Sequence, residues 1–102
     1  MANKPTKPIS AATHSDHDAI YAQLKICLSK ITGFPIDQIY SADSLENKYH
    51  FNAGGRRALA LNLEQCFKGA GMPIPKPLDR DSMQAAQSVL NVLMVVIKAF
   101  EA

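Results

Sequence analysis

The chain reads as an all-α protein: a small antiparallel bundle of three to four helices, with a long loop between the first two. Apolar residues recur at helical spacing in three separate stretches, and each of the first two ends in Gly or Pro. No stretch alternates apolar and polar residues as a half-buried strand would. At 102 residues the chain is one domain with a single core, and 47% apolar with 20% charged residues is the balance of a soluble globular protein.

Residues 1–14, "MANKPTKPISAATH", hold almost no large apolar side chain, so they are expected to form a flexible tail ahead of a helical domain at 15–102. The first helix opens at an approximate capping box, Ser15 with Asp18, and carries Ile20, Leu24, Cys27, Leu28 and Ile31 on one face. Gly33 and Pro35 end it. The loop that follows runs to about residue 51. Ile36, Ile39, Leu45, Tyr49 and Phe51 punctuate it regularly enough to pin it on the core. Asn52 is a good N-cap for a second helix with the stripe Leu59, Leu63, Cys66 and Phe67, closed by Gly69 and Gly71. After the Pro-rich "MPIPKPLD", Asp81 or Ser82 caps one last helix. Its apolar side is Ala86, Val89, Leu90, Leu93, Val96, Ile97 and Phe100. Val92, Met94 and Val95 spill onto the flanks, which suggests deep burial, a partner's contact surface or self-association.

The longest apolar run, Val92 to Ile97, is far too short to span a bilayer, and no signal-like apolar stretch follows Lys4 or Lys7. The expected location is the cytoplasm. Cys27 and Cys66 both fall on buried faces without short spacing, so they are expected to be two free thiols. A formal net charge of +2, dispersed and without interleaved aromatics, does not point to nucleic acid. The cluster "HSDHD", His14 to Asp18, is expected to be a solvated helix start without a metal. His50, lying between aromatics, is expected to be a packing or polar contact. No catalytic constellation is present, and the chain is not expected to be an enzyme.

With these elements laid out, the chain resembles the acyl carrier protein family over roughly residues 18–100. "LSKITGFPIDQIYSADSLENKY" is similar to the end of that family's first helix, its Gly turn and the following spaced aliphatics. "ALALNLEQCF" resembles its recognition helix, "MPIP" the Ile-Pro after it, and "SMQAAQSVL" the start of its last helix. The family bears phosphopantetheine on the serine of an Asp-Ser-Leu tripeptide opening its second helix. Asp43-Ser44-Leu45 has that composition but not that register. The carrier serine is about fourteen residues before the closing Phe, whereas Ser44 is twenty-three before Phe67 and Ala53 is fourteen before it. Ser44 therefore matches an upstream Ser-Leu pair. Asn52, Ala53 and Gly54 stand where the resemblance places the tripeptide, and Lys48, Tyr49 and His50 where it places Asp-Leu-Gly.

The resemblance thus implies a carrier-like domain without the phosphopantetheine cofactor, working as a non-enzymatic interaction or adaptor module. The alternative is a working carrier with 4'-phosphopantetheine on Ser44, delivering acyl groups to a synthase. In the altered segment, Gly54 and Gly55 disfavour helix by about 1 kcal/mol each, and Arg56 and Arg57 oppose the helix dipole. With Asn52 and Lys48 they form a candidate site for a partner's carboxylate, a phosphate or, as a weaker alternative, a nucleotide. The competing expectation is that both glycines belong to the loop, the helix starts at Arg56, and the arginines are solvated or pair with Glu46 or Asp43. Glu64 is the only acid of a helix that is acidic in typical carriers. The expected partner is therefore acidic or anionic.

Overall fold

A computed structural model describes residues 14–101. The expected flexible tail lies outside them, apart from His14. Four helices follow in order: α1 at His14–Thr32, α2 at Ala53–Gly69, α3 at Arg80–Ala85 and α4 at Val89–Glu101, with a 3-10 turn at Ile36–Gln38. No β-strand occurs among the described residues. One isolated antiparallel bridge joins Ser44 to Ser88. α1 packs against α2 and α4, and the short α3 packs against both α2 and α4.

α1 already includes Ser15, which places that residue inside the helix rather than at its cap. Ile20, Leu24, Cys27 and Leu28 are fully buried, as their spacing requires. Gly33 ends the helix at φ +85°, a backbone conformation that suits a residue without Cβ, and its N–H reaches the Ser29 carbonyl at 2.8 Å. The end of α2 is a Schellman motif. Gly71 has φ +80° and donates to the Lys68 carbonyl at 3.1 Å, while the Met72 N–H reaches the Phe67 carbonyl at 2.9 Å. Leu59, Ala60, Leu63 and Phe67 bury the inner face of α2.

The long loop lies on the core through Ile39, Leu45 and Tyr49. Ile36, expected to help pin it, is instead 46% exposed, because the 3-10 turn that carries it buries none of its residues.

The expected single last helix is two helices. Ala86 leaves helical geometry at ψ 134°, and the chain resumes as α4 only after Ser88. Ser88 and Asn91 cap that second start reciprocally. The Asn91 N–H donates to Ser88 Oγ at 3.2 Å, and the Ser88 N–H donates to Asn91 Oδ1 at 3.1 Å. Ala86, Val89, Leu93, Val96, Ile97 and Phe100 are buried as their spacing requires, and Val92 is fully buried beside them, whereas Leu90, expected on the same side, is 46% exposed.

Cys27 and Cys66 are not free thiols. They form a disulfide between α1 and α2, with their Cα atoms 5.9 Å apart. Thirty-nine residues of sequence separate them, and the antiparallel packing of the two helices brings them together. A cross-link closing a loop of this length stabilises by about 3–4 kcal/mol in the chain-entropy account. Cys66→Ser should lower unfolding stability by about that amount in urea titration, and the non-reduced wild type should titrate no thiol even when denatured.

Among the described non-glycine residues, only His50 has positive φ, at 62°. It is exposed and donates its N–H to the Glu46 carbonyl, which closes the turn ahead of α2. Left-handed backbone is unfavourable with a Cβ, so His50→Gly should raise stability by about 0.5–1 kcal/mol, read as a higher urea midpoint.

Candidate functional site

The start of α2 was the sequence's candidate, and its geometry follows from the loop that delivers it. Within that loop Asp43 gathers three donors on one carboxylate oxygen. The Tyr40 N–H and the Tyr49 hydroxyl donate at 2.7 Å, and Lys48 Nζ donates at 2.8 Å. Lys48 also donates to the Gln38 carbonyl and faces the rings of Phe34, Tyr40 and Tyr49, with Nζ 5.1–5.4 Å from their centroids. Burial works against charge on Asp43, but the hydrogen bonds from Lys48, the Tyr40 N–H and Tyr49 outweigh it and hold the carboxyl below its usual range. Burial first, then the Asp43 contact, pushes the Tyr49 phenol well above its usual range.

Asn52 caps α2 as its sequence position predicts, with its side-chain oxygen accepting the Gly55 N–H at 2.8 Å. The helix starts at Ala53, not Arg56, so both glycines lie in its first turn. A Cβ on Gly55 would come within 3.3 Å of Asn52 Oδ1 and 3.5 Å of Phe51 Cδ1, so the cap itself accounts for that glycine. Around Gly54 the same atom would meet only Asn52 Oδ1, at 3.7 Å, and no contact in the structure explains that glycine.

Both arginines bond to other parts of the chain rather than to Glu46 or Asp43, Arg56 half-buried and Arg57 at the surface. Arg56 donates from Nε to the Gln84 carbonyl at 2.7 Å and from Nη1 to the Phe51 carbonyl at 2.8 Å. It thereby ties the loop end to α3. Arg57 donates from Nη1 to Asp81 at 2.8 Å and to the Gln84 side-chain oxygen at 3.0 Å. Further along α2, Glu64 accepts from Arg80 and from the Leu78 N–H, both at 2.7 Å. The Arg80 contact, with burial opposing it and the Leu78 N–H assisting, holds the Glu64 carboxyl below its usual range. The structure thus brings Asn52, Gly54, Gly55, Arg56 and Arg57 together at one helix start but places Lys48 in the separate Asp43 cluster. Asp81 and Gln84, which sequence reasoning left out, complete the arginine contacts from α3.

Ser44 sits in the loop, half-buried, with its Oγ accepting the Asn47 N–H at 3.0 Å. Of the histidines, His17 lies with Nε2 3.4 Å from Glu101, and His50 is the exposed turn residue. No group of three or more His, Cys, Asp or Glu among the described residues is placed to hold a metal ion. No described helix is long and apolar enough to cross a membrane. The chain matches no family model, no curated protein and no solved structure.

The depressed carboxyls of Asp43 and Glu64 set an acid limb of stability. A carboxyl held lower in the folded than in the unfolded state contributes fully above about pH 5 and loses that contribution as pH falls through its folded value. Asp43→Asn should cost about 2 kcal/mol near neutral pH and less near pH 3, giving a shallower acid limb in urea midpoints measured across that range.

Proposed function

We propose that this chain is a carrier-protein-like helical module that works without a prosthetic arm, as a non-enzymatic adaptor between other proteins. The observation that carries this reading is the place of Ala53. It is the first residue of α2, directly after the Asn52 cap. That is where the resemblance to acyl carrier proteins puts the carrier serine, and a methyl group cannot form a phosphodiester.

The Asp-Ser-Leu tripeptide has other work in the fold. Asp43 collects the loop's donors, Ser44 accepts a turn N–H, and the Leu45 side chain is fully buried. These roles support reading Ser44 as the upstream structural serine rather than as a carrier in an unusual register. The Arg56 bonds to two backbone carbonyls and the Arg57 ion pair with Asp81 weigh against a free anion or nucleotide site at the same helix start. The disulfide weighs against the expected cytoplasmic location, since such bonds persist in oxidising compartments.

The test is co-expression with a broad-specificity phosphopantetheinyl transferase, followed by intact mass. The native chain should carry no adduct and Ala53→Ser should gain one. An adduct on the native chain that disappears in Ser44→Ala would replace the adaptor with a working carrier.

A further inference from the structure

We infer that the groove between residues 76–82 and α4 is a docking surface for an acidic amphipathic helix of a partner protein. This rests on the adaptor reading and assigns its contact face, which meets the start of α2 only at Arg57.

The groove encloses about 650 Å³ and is open to solvent along one side. Leu78 and Ala99 are buried beneath it, and its accessible apolar surface comes from the half-buried Val95, the exposed Pro77 and Met94, which is 58% exposed. An unbranched thioether adapts its shape to what lies against it, and so is well suited to receive a partner's side chains. The exposed apolar surface continues beyond the groove along α4, where Leu90 lies one turn before Met94, about 6 Å along the helix, and the Lys98 ammonium follows one turn after. The groove's open side, with exposed Met94 and Leu90 one turn apart on α4, suits the anchors spaced along one face of an amphipathic helix.

Charge selects the kind of helix. Four basic side chains line the groove against two acidic ones, Asp79 and Asp81. Arg57 is paired with Asp81, and Arg80 with Glu64. Lys76 and Lys98 form no ion pair among the described residues, although Lys98 lies near enough to Asp79 to act on it through space. An incoming helix with carboxylates flanking its apolar face would meet these two ammonium groups. A basic one would be repelled by them.

The experiment uses the full oxidised chain, with its amide resonances followed during titration with a synthetic amphipathic peptide of about 18 residues, Leu on one face and Glu beside it. A sister peptide has Lys in place of Glu. The acidic peptide should bind and shift residues 76–82 and 90–99. Met94→Glu and the Lys76→Glu/Lys98→Glu pair should each weaken it by about tenfold or more. The double variant should in turn gain affinity for the basic peptide. All three positions line an open groove, and circular dichroism checks that each variant keeps its fold.

Equal affinity for both peptides, or shifts confined to residues 52–57, overturns the groove assignment. So does binding to phosphatidylserine vesicles with neither peptide bound. Sedimentation showing a dimer that Met94→Glu abolishes would assign the groove to a second copy and overturn it as well. Intact mass of the same preparation keeps the two ideas apart. An adduct on the native chain defeats the adaptor reading, whereas an unmodified chain with no shifts in the groove defeats only this inference.

Discussion

Asp43 is the residue on which the long loop depends, because it works through both its side chain and its backbone. Its carboxylate draws in the Tyr40 N–H, Lys48 and Tyr49, which fixes the conformation of the loop's second half. Its carbonyl accepts the Val89 N–H at 3.1 Å. The Ser41 carbonyl accepts the Leu90 N–H at 2.8 Å, and the Leu45 N–H returns to the Gln87 carbonyl at 3.0 Å. The first N–H groups of α4, which every helix leaves without internal partners, are therefore capped by the loop rather than by water. Without the ionised carboxylate this exchange would lose the side chain that holds the loop in place for it.

That exchange gives a physical reason for the break between α3 and α4. A continuous helix from Arg80 to Glu101 would keep the N–H groups of Val89 and Leu90 and the Gln87 carbonyl for its own ladder, leaving the 41–45 segment nothing to bond. With the break, Ser88 and Asn91 begin a new helix, and α3 is free to present Asp81 and Gln84 to Arg57 and the Gln84 carbonyl to Arg56. The geometry at the start of α2 is thus set from two directions: by the loop that delivers it and by the short helix that holds its arginines. Basic residues that oppose the dipole of α2 are tolerated because their guanidinium groups are used in tertiary contacts.

Much of this was legible in the sequence where the signal is local. Helical spacing located α1 and α2, Asn52 announced its cap, and Gly33 and Gly71 marked helix ends through the positive φ that a Cβ resists. The Ser88-x-x-Asn91 pattern was also legible as a helix start. The continuous apolar periodicity from Ala86 to Phe100 concealed it, since such periodicity does not register a break of two or three residues. What was not legible is pairing at a distance. Nothing in the spacing of Cys27 and Cys66 signals that two helix faces meet there, and nothing local to Arg57 points to Asp81 rather than to Glu46. The sense of each choice depends on how the helices pack, which a linear pattern does not contain. At Ile36 and Leu90 an apolar residue on the expected face ended outside the core, because the element that carries it turned or restarted.

The disulfide makes a closed ring of residues 27–66, and that ring contains the whole long loop and the start of α2. A single proteolytic cut anywhere inside it opens the chain without separating the pieces. The half that carries α1 stays fastened to the half that carries the rest of α2, α3 and α4. The loop is therefore a segment that could be severed while the helices it connects remain joined covalently, and only a reductant would turn such a nick into two fragments.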